Sequence, residues 1–251
     1  MKKKVFVRGI CFWGVLFFAY VALLIVGHII PVEWVFHNVE KSYEELDKIG
    51  LYYDVVEGAQ WDNWTDTYFL NVAITNTNDS LIKQAISNSY ITSAENDRRV
   101  LDDLAAAVNV QERAGIASYS RYWAGNMTLY KFLLIFMPIS GIRNVLLIIT
   151  IILFTLAIIN IYKILGYKGI IPFIFSILAC KYIPLSMCLT FFSDIFLTLI
   201  MINICAWVYQ KKASWKKVYF LFTLIGSLCI YLGYWGFPLI SLGIPLTFIN
   251  V

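Results

Sequence analysis

The sequence predicts an all-α protein: a polytopic transmembrane helical bundle with a large helical extracytoplasmic loop after the first span. Three observations predict it. The 251-residue chain is 60% hydrophobic, against roughly 45–50% for soluble domains, and its mean hydropathy is +0.71. The excess lies in long runs such as Val145–Tyr162 and Ile195–Val208. In lipid, a helix of about 20 apolar residues satisfies its own backbone. Charge is also segregated. Of the 16 acids, all but Asp194 lie between Glu33 and Glu112. Bases gather at Lys2, Lys3, Lys4 and Arg8, at Lys163 and Lys168, and at Lys211, Lys212, Lys216 and Lys217. That is the positive-inside pattern of a membrane protein, not the shared basic face of a nucleic-acid binder.

Taken in order, Ile10–Ile30 is the first span, with a cytoplasmic N-terminus. It exceeds the 7–15-residue apolar core of a signal peptide, and no small-x-small cleavage site follows. Residues 1–30 therefore form an anchor, 31–126 an extracytoplasmic domain, and 127–251 an interfacial helix and further spans. Inside the loop, Val39–Ile49 is amphipathic and Asp62–Thr75 has helical spacing. Asp79 is placed to cap Leu81–Ser89. Ser93 is placed to cap Asn96–Val108, with Arg98, Arg99, Asp102 and Asp103 on its wet side. Leu129–Met137 is too short to span and reads as an interfacial helix.

Val145–Tyr162 then runs inward, Ile170–Leu189 outward, Thr190–Tyr209 inward and Val218–Leu232 outward. This places every lysine cluster on the cytoplasmic side. A sixth run, Phe237–Val251, is broken by Pro238, Gly243 and Pro245 and has no basic stop. Such an ending is expected of a truncated reading frame, or of a re-entrant segment. The five cysteines all fall in apolar runs, with no CxxC pair, so neither a redox motif nor a metal site is expected. No nucleotide-binding loop or hydrolase motif occurs, and no cofactor is indicated.

Three groups of residues carry candidate chemistry. In Trp61-Asp62-Asn63-Trp64-Thr65-Asp66, Asp62 and Asp66 share a helix face at a small electrostatic cost. One of them can serve as a general base or the two can hold a cation. Equally, they suit the acidic start of a solvated helix. Trp61 and Trp64 offer flat apolar faces to a sugar. In Tyr119-Ser120-Arg121-Tyr122-Trp123-Ala124-Gly125, Arg121 can clamp a phosphate, or meet lipid headgroups beside Tyr122 and Trp123. Lys181 and Asp194 fall at matched depth in the outer half of the bilayer, where charges usually pair. The alternative is that each reaches the interface alone.

The layout resembles membrane glycosyltransferases of the GT-C type. The strings Asp62–Asp66, Tyr119–Gly125 and Phe237–Leu246 look like segments of polytopic Gram-positive proteins of cell-envelope polymer synthesis. In those relatives a histidine is expected where Ala124 stands. The resemblance implies sugar transfer from a polyprenyl-phosphate donor to an envelope polymer, at the outer face of a bacterial cell membrane. It makes Asp62 or Asp66 the base, Arg121 the phosphate clamp, and Trp61, Trp64, Tyr122 and Trp123 the sugar contacts. The competing classes are a non-catalytic transport or envelope-assembly component and an inactive truncated copy. Midplane polar residues are few (Asn160, Ser176 and Asn203), which weighs against transport.

Overall fold

The computed structural model describes residues 2–94, 99–109, 113–212, 215–233 and 238–249. Arg98, at the expected start of the fifth helix, and Phe237 lie outside the described residues. The chain runs through α1 (Lys2–Ile29), α2 (Val32–Ile49), β1 (Tyr52–Val56), β2 (Ala59–Asp62), α3 (Asn63–Ile74), α4 (Leu81–Ser87), β3 (Ser89–Ser93), α5 (Val100–Val108), β4 (Arg113–Ser118) and α6 (Asn126–Leu134). It continues through α7 (Ile139–Leu165), α8 (Tyr167–Ala179), α9 (Tyr182–Leu185), α10 (Leu189–Gln210), α11 (Trp215–Leu232) and α12 (Pro238–Ile249).

Three described helices are long and apolar enough to cross a membrane: Gly9–Ile29 of α1, α7 and α10. At 1.5 Å per residue they reach about 31–40 Å, against a hydrocarbon core of about 30 Å. Helix α10 is their axis. Of its spanning window 67% is buried, against 11% for α1 and 22% for α7. The outer helices expose Val15, Phe18, Ile148, Ile152, Phe175 and Leu178. A soluble monomer rarely presents so broad an apolar belt to water.

The expected third span, Ile170–Leu189, is corrected. Helix α8 ends at Ala179 and Lys181 turns left-handed, with φ 51°. Pro184 has no N–H to continue an α-helical ladder back to Cys180. The 13 residues of α8 reach about 20 Å, short of the bilayer core.

The loop domain, expected to be wholly helical, contains two antiparallel strand pairs. In β1–β2, Tyr53 lies opposite Trp61; in β3–β4, Ile91 lies opposite Ile116. Tyr52-Tyr53-Asp54-Val55-Val56 is an aromatic and β-branched run suited to a pleated surface. Gly58, at φ +69°, supplies the left-handed turn that closes the hairpin.

Helix α3 is the centre of the domain and is buried on nearly every face. Its polar side chains are satisfied locally. Asn71 bonds both the N–H and the carbonyl of Ile91 on β3, each at 2.9 Å. Two expected caps are corrected. Ser80, rather than Asp79, accepts from the Lys83 N–H at the start of α4, while Asp79 ion-pairs with the Lys83 side chain. Ser93 ends β3, and its N–H donates to Asp103 at 2.8 Å. Asp103 is thereby drawn inside, not onto a wet face.

One hydrophobic cluster joins domain and bundle. It runs from Leu46, Leu70 and Leu104 through Tyr130 to Ile142, Leu146 and Leu189. The domain thus sits at one end of the long helices. Arg143 on α7 touches it, and Lys163 lies about 30 Å further along the same helix. Helix α10 likewise leads away from the domain to Lys211. Helix α11 returns from Lys216 to Tyr231, whose carbonyl accepts from the Gly125 N–H at 2.9 Å.

Candidate functional site

The acidic string opens α3. Asp62 occupies the N-cap, and its carboxylate accepts from the Thr65 N–H at 3.1 Å and the Thr65 hydroxyl at 2.6 Å. One helical turn on, Asp66 is completely buried. Its Oδ2 accepts from Arg143 Nη2 at 2.8 Å and from the Leu189 N–H at 3.4 Å. Its Oδ1 accepts from the N–H and hydroxyl of Thr190, at 3.3 and 3.2 Å, and from the Cys188 thiol at 3.5 Å.

These donors stand at the N-terminus of α10, where unsatisfied backbone N–H groups favour an anion. Burial pushes the Asp66 carboxyl up from its ordinary value, and the guanidinium opposes that push. The 2.8 Å contact has the geometry of a buried ion pair. Burial beside Asp66 also pushes the Cys188 thiol well up, which makes it a poor thiolate nucleophile.

Arg143 is held from two further sides. Its Nη2 also donates to Asn63 Oδ1 at 2.6 Å, and its guanidinium carbon lies 4.1 Å from the centre of the Trp61 ring. Trp61 in turn donates from Nε1 to the Pro184 carbonyl at 3.0 Å. Trp61 is therefore a strut between β2, α7 and α9. The second span as read from the sequence begins at Val145 and excludes Arg143. The signal for it was a lone base two residues before an apolar run, facing a protein with one dense acidic segment.

The expected meeting of Asp66 with Arg121 does not occur. Arg121 is exposed on the segment after β4, with its guanidinium carbon 5.4 Å from the Tyr122 ring. The acid's buried partner is Arg143 instead. With its hydrogen bonds directed to buried donors and no exposed surface, Asp66 lacks the access a general base requires. Trp123 packs against Phe17 of α1 and Tyr231 of α11, fixing the domain to the bundle.

The expected pair of Lys181 and Asp194 is also corrected. No ion pair joins them. The left-handed turn at Lys181 carries its ammonium to the β1–β2 turn, beside Gly58. Asp194 points toward Gly233, and among the described residues neither of its buried carboxylate oxygens has a hydrogen-bond partner.

Two of the predicted contacts do converge. Trp64 and Tyr122 line a cleft of about 290 Å³ together with Thr65, Tyr68, Tyr90, Val100, Asp103 and Tyr119. Helix α3, strand β3, helix α5 and the segment after β4 each supply part of it. Tyr119 lies tilted at 5.9 Å from Tyr122, and Tyr68 stands edge-on to Tyr90 at 5.3 Å and to Tyr119 at 5.4 Å. Such T-shaped pairs fix ring orientation. Asp103 brings the carboxylate, oriented by the Ser93 N–H.

The sequence reading missed Tyr68, Tyr90 and Asp103 as site residues; they come together through the packing of α3 and α5 against β3. Among the described residues, no three His, Cys, Asp or Glu side chains gather as a metal would require. Comparison of the chain with protein-family models, with curated proteins and with solved structures finds no match.

Proposed function

We propose that the chain is a multi-pass membrane protein that binds a carbohydrate in the tyrosine-walled cleft of a domain on the outer membrane face. The observation that carries this reading is the cleft itself. Its walls are five aromatic rings around one carboxylate, in a volume of about 290 Å³, near the lower limit of small-ligand sites. The C–H faces of a sugar ring are apolar and its hydroxyls form a polar rim. Aromatic faces take the former; phenol hydroxyls and Asp103 take the latter. The exposed Trp64 provides an open wall at the mouth.

The lysine clusters at the far ends of the helices support the outward placement of this domain. Within this reading, the chain resembles enzymes that take sugar from a polyprenyl-phosphate donor for an envelope polymer. Asp62 is engaged as a cap and Asp66 is sealed, so Asp103 is the carboxylate with cleft access. The sealing of Asp66 also favours a second reading, in which the chain is a non-catalytic sugar-binding component of envelope assembly.

Saturation-transfer NMR on the detergent-solubilised full chain tests the shared claim, using hexose and N-acetylhexosamine oligosaccharides. Transfer from aromatic protons to the sugar is expected, with a several-fold loss in Trp64→Ala and Tyr122→Ala. No transfer, or transfer that both variants retain, would remove the carbohydrate reading. Sugar release from a polyprenyl-phosphate donor that Asp103→Asn abolishes would favour the enzyme; binding without turnover would favour the component.

A further inference from the structure

The bundle contains a second hollow, remote from the tyrosine cleft. It has a volume of about 160 Å³ and lies between α7, α8, α10 and α12. Phe154 and Phe173, stacked with ring centres 5.4 Å apart, form part of its lining. Ile195 to Ile202 of α10 supply its length, about 10 Å of helix. By the share of liquid volume per water, it has room for about five water-sized groups. Its lining is largely apolar, so water has few partners there and an apolar chain fits better.

The shortness of α8 bears on the site's upper end. A full span would continue the helix past Ala179. Instead the chain breaks at Lys181, and Tyr182 lines the groove. Lys181, the next residue, carries a half-buried cation with no carboxylate within 4.0 Å among the described residues. Its ammonium lies beside Gly58 in the β1–β2 turn of the loop domain. A cation adjoining one end of an apolar groove complements a molecule with an anionic head and an apolar tail.

We infer that this groove holds one acyl chain of an anionic phospholipid, with the lipid phosphate on Lys181. The occupant is a phospholipid because its anionic head suits the Lys181 cation and its apolar tail suits the groove's largely apolar lining. The second acyl chain remains in the bilayer. The inference rests on the membrane reading and is independent of the carbohydrate one. It accounts for a lysine at a position where the neighbouring acid, Asp194, points elsewhere.

The test is photo-crosslinking of the full chain in nanodiscs, with lipids bearing a diazirine midway along one acyl chain. Phosphatidylglycerol is expected to label peptides containing Phe154, Phe173 or Ile177. Lys181→Gln should reduce that labelling about fivefold, the factor one basic residue contributes near an anionic headgroup. Lys181→Arg should retain it. Three outcomes would each overturn the inference: equal labelling by phosphatidylcholine, unchanged labelling in Lys181→Gln, or stronger labelling by a diazirine polyprenyl phosphate. Sugar binding in the cleft is measured separately, so failure here leaves that reading intact.

Discussion

The carboxylate of Asp66 and the guanidinium of Arg143 meet at 2.8 Å with almost no exposed surface on either. One belongs to the central helix of the loop domain and the other to the first turns of α7. The contact therefore ties the two halves of the molecule together within their shared hydrophobic cluster. The N-terminus of α10 closes the same carboxylate from the other side.

Removing one partner strands the other charge in the interior. Arg143→Met and Asp66→Leu should each lower stability by about 3–5 kcal/mol, read as thermal unfolding of the detergent-solubilised protein. The double variant should lose much less than the sum, because no lone charge remains. Strictly additive losses would show that the pair does not act as a unit.

Lys131 on α6 gives a pH dependence with a defined sign. It is 4% exposed, and burial pulls its ammonium down to about 8, partly opposed by Glu33. The unfolded chain thus holds this proton more tightly than the folded one between about pH 8 and 10.5. Stability should rise across that window, by up to about 3 kcal/mol from this group. Lys131→Met should be more stable than the parent at pH 7 and should lack the rise. A parent whose melting temperature only falls from pH 8 upward, as Lys131→Met does, would contradict the assignment.

Asp194 is a buried polar group with no donor to meet it among the described residues, which costs about 1–3 kcal/mol. Asp194→Val keeps a similar shape and removes that cost. A raised melting temperature is expected. A clear destabilisation would mean that the carboxylate has a partner that holds α10 in place.

Much of this architecture was legible in the sequence because it follows from period and charge. Long apolar runs gave α1, α7 and α10, and the segregation of lysines from acids marked the two ends of the bundle. The strands were not legible. Tyr52–Val56 and Ser89–Ser93 are short segments whose pleated state depends on pairing with β2 and β4. The third span failed for a related reason: apolar composition continues past Ala179, but backbone geometry at Lys181 and Pro184 does not. At the site, Trp64 and Tyr122 were legible as candidate sugar-contacting aromatics. Asp66 was legible as unusual but not as buried, because its seal is made by residues 77 and more positions away.

The account depends most on which side of the membrane carries the cleft. In a cysteine-free background, Ser80→Cys reports on the loop domain and Ser214→Cys on the lysine-rich connection between α10 and α11. Intact cells are treated with an impermeant thiol reagent, then permeabilised and treated again. The account predicts labelling at Ser80→Cys before permeabilisation and at Ser214→Cys only after it. Labelling in the opposite order would place the cleft in the cytoplasm and contradict the outward-facing reading.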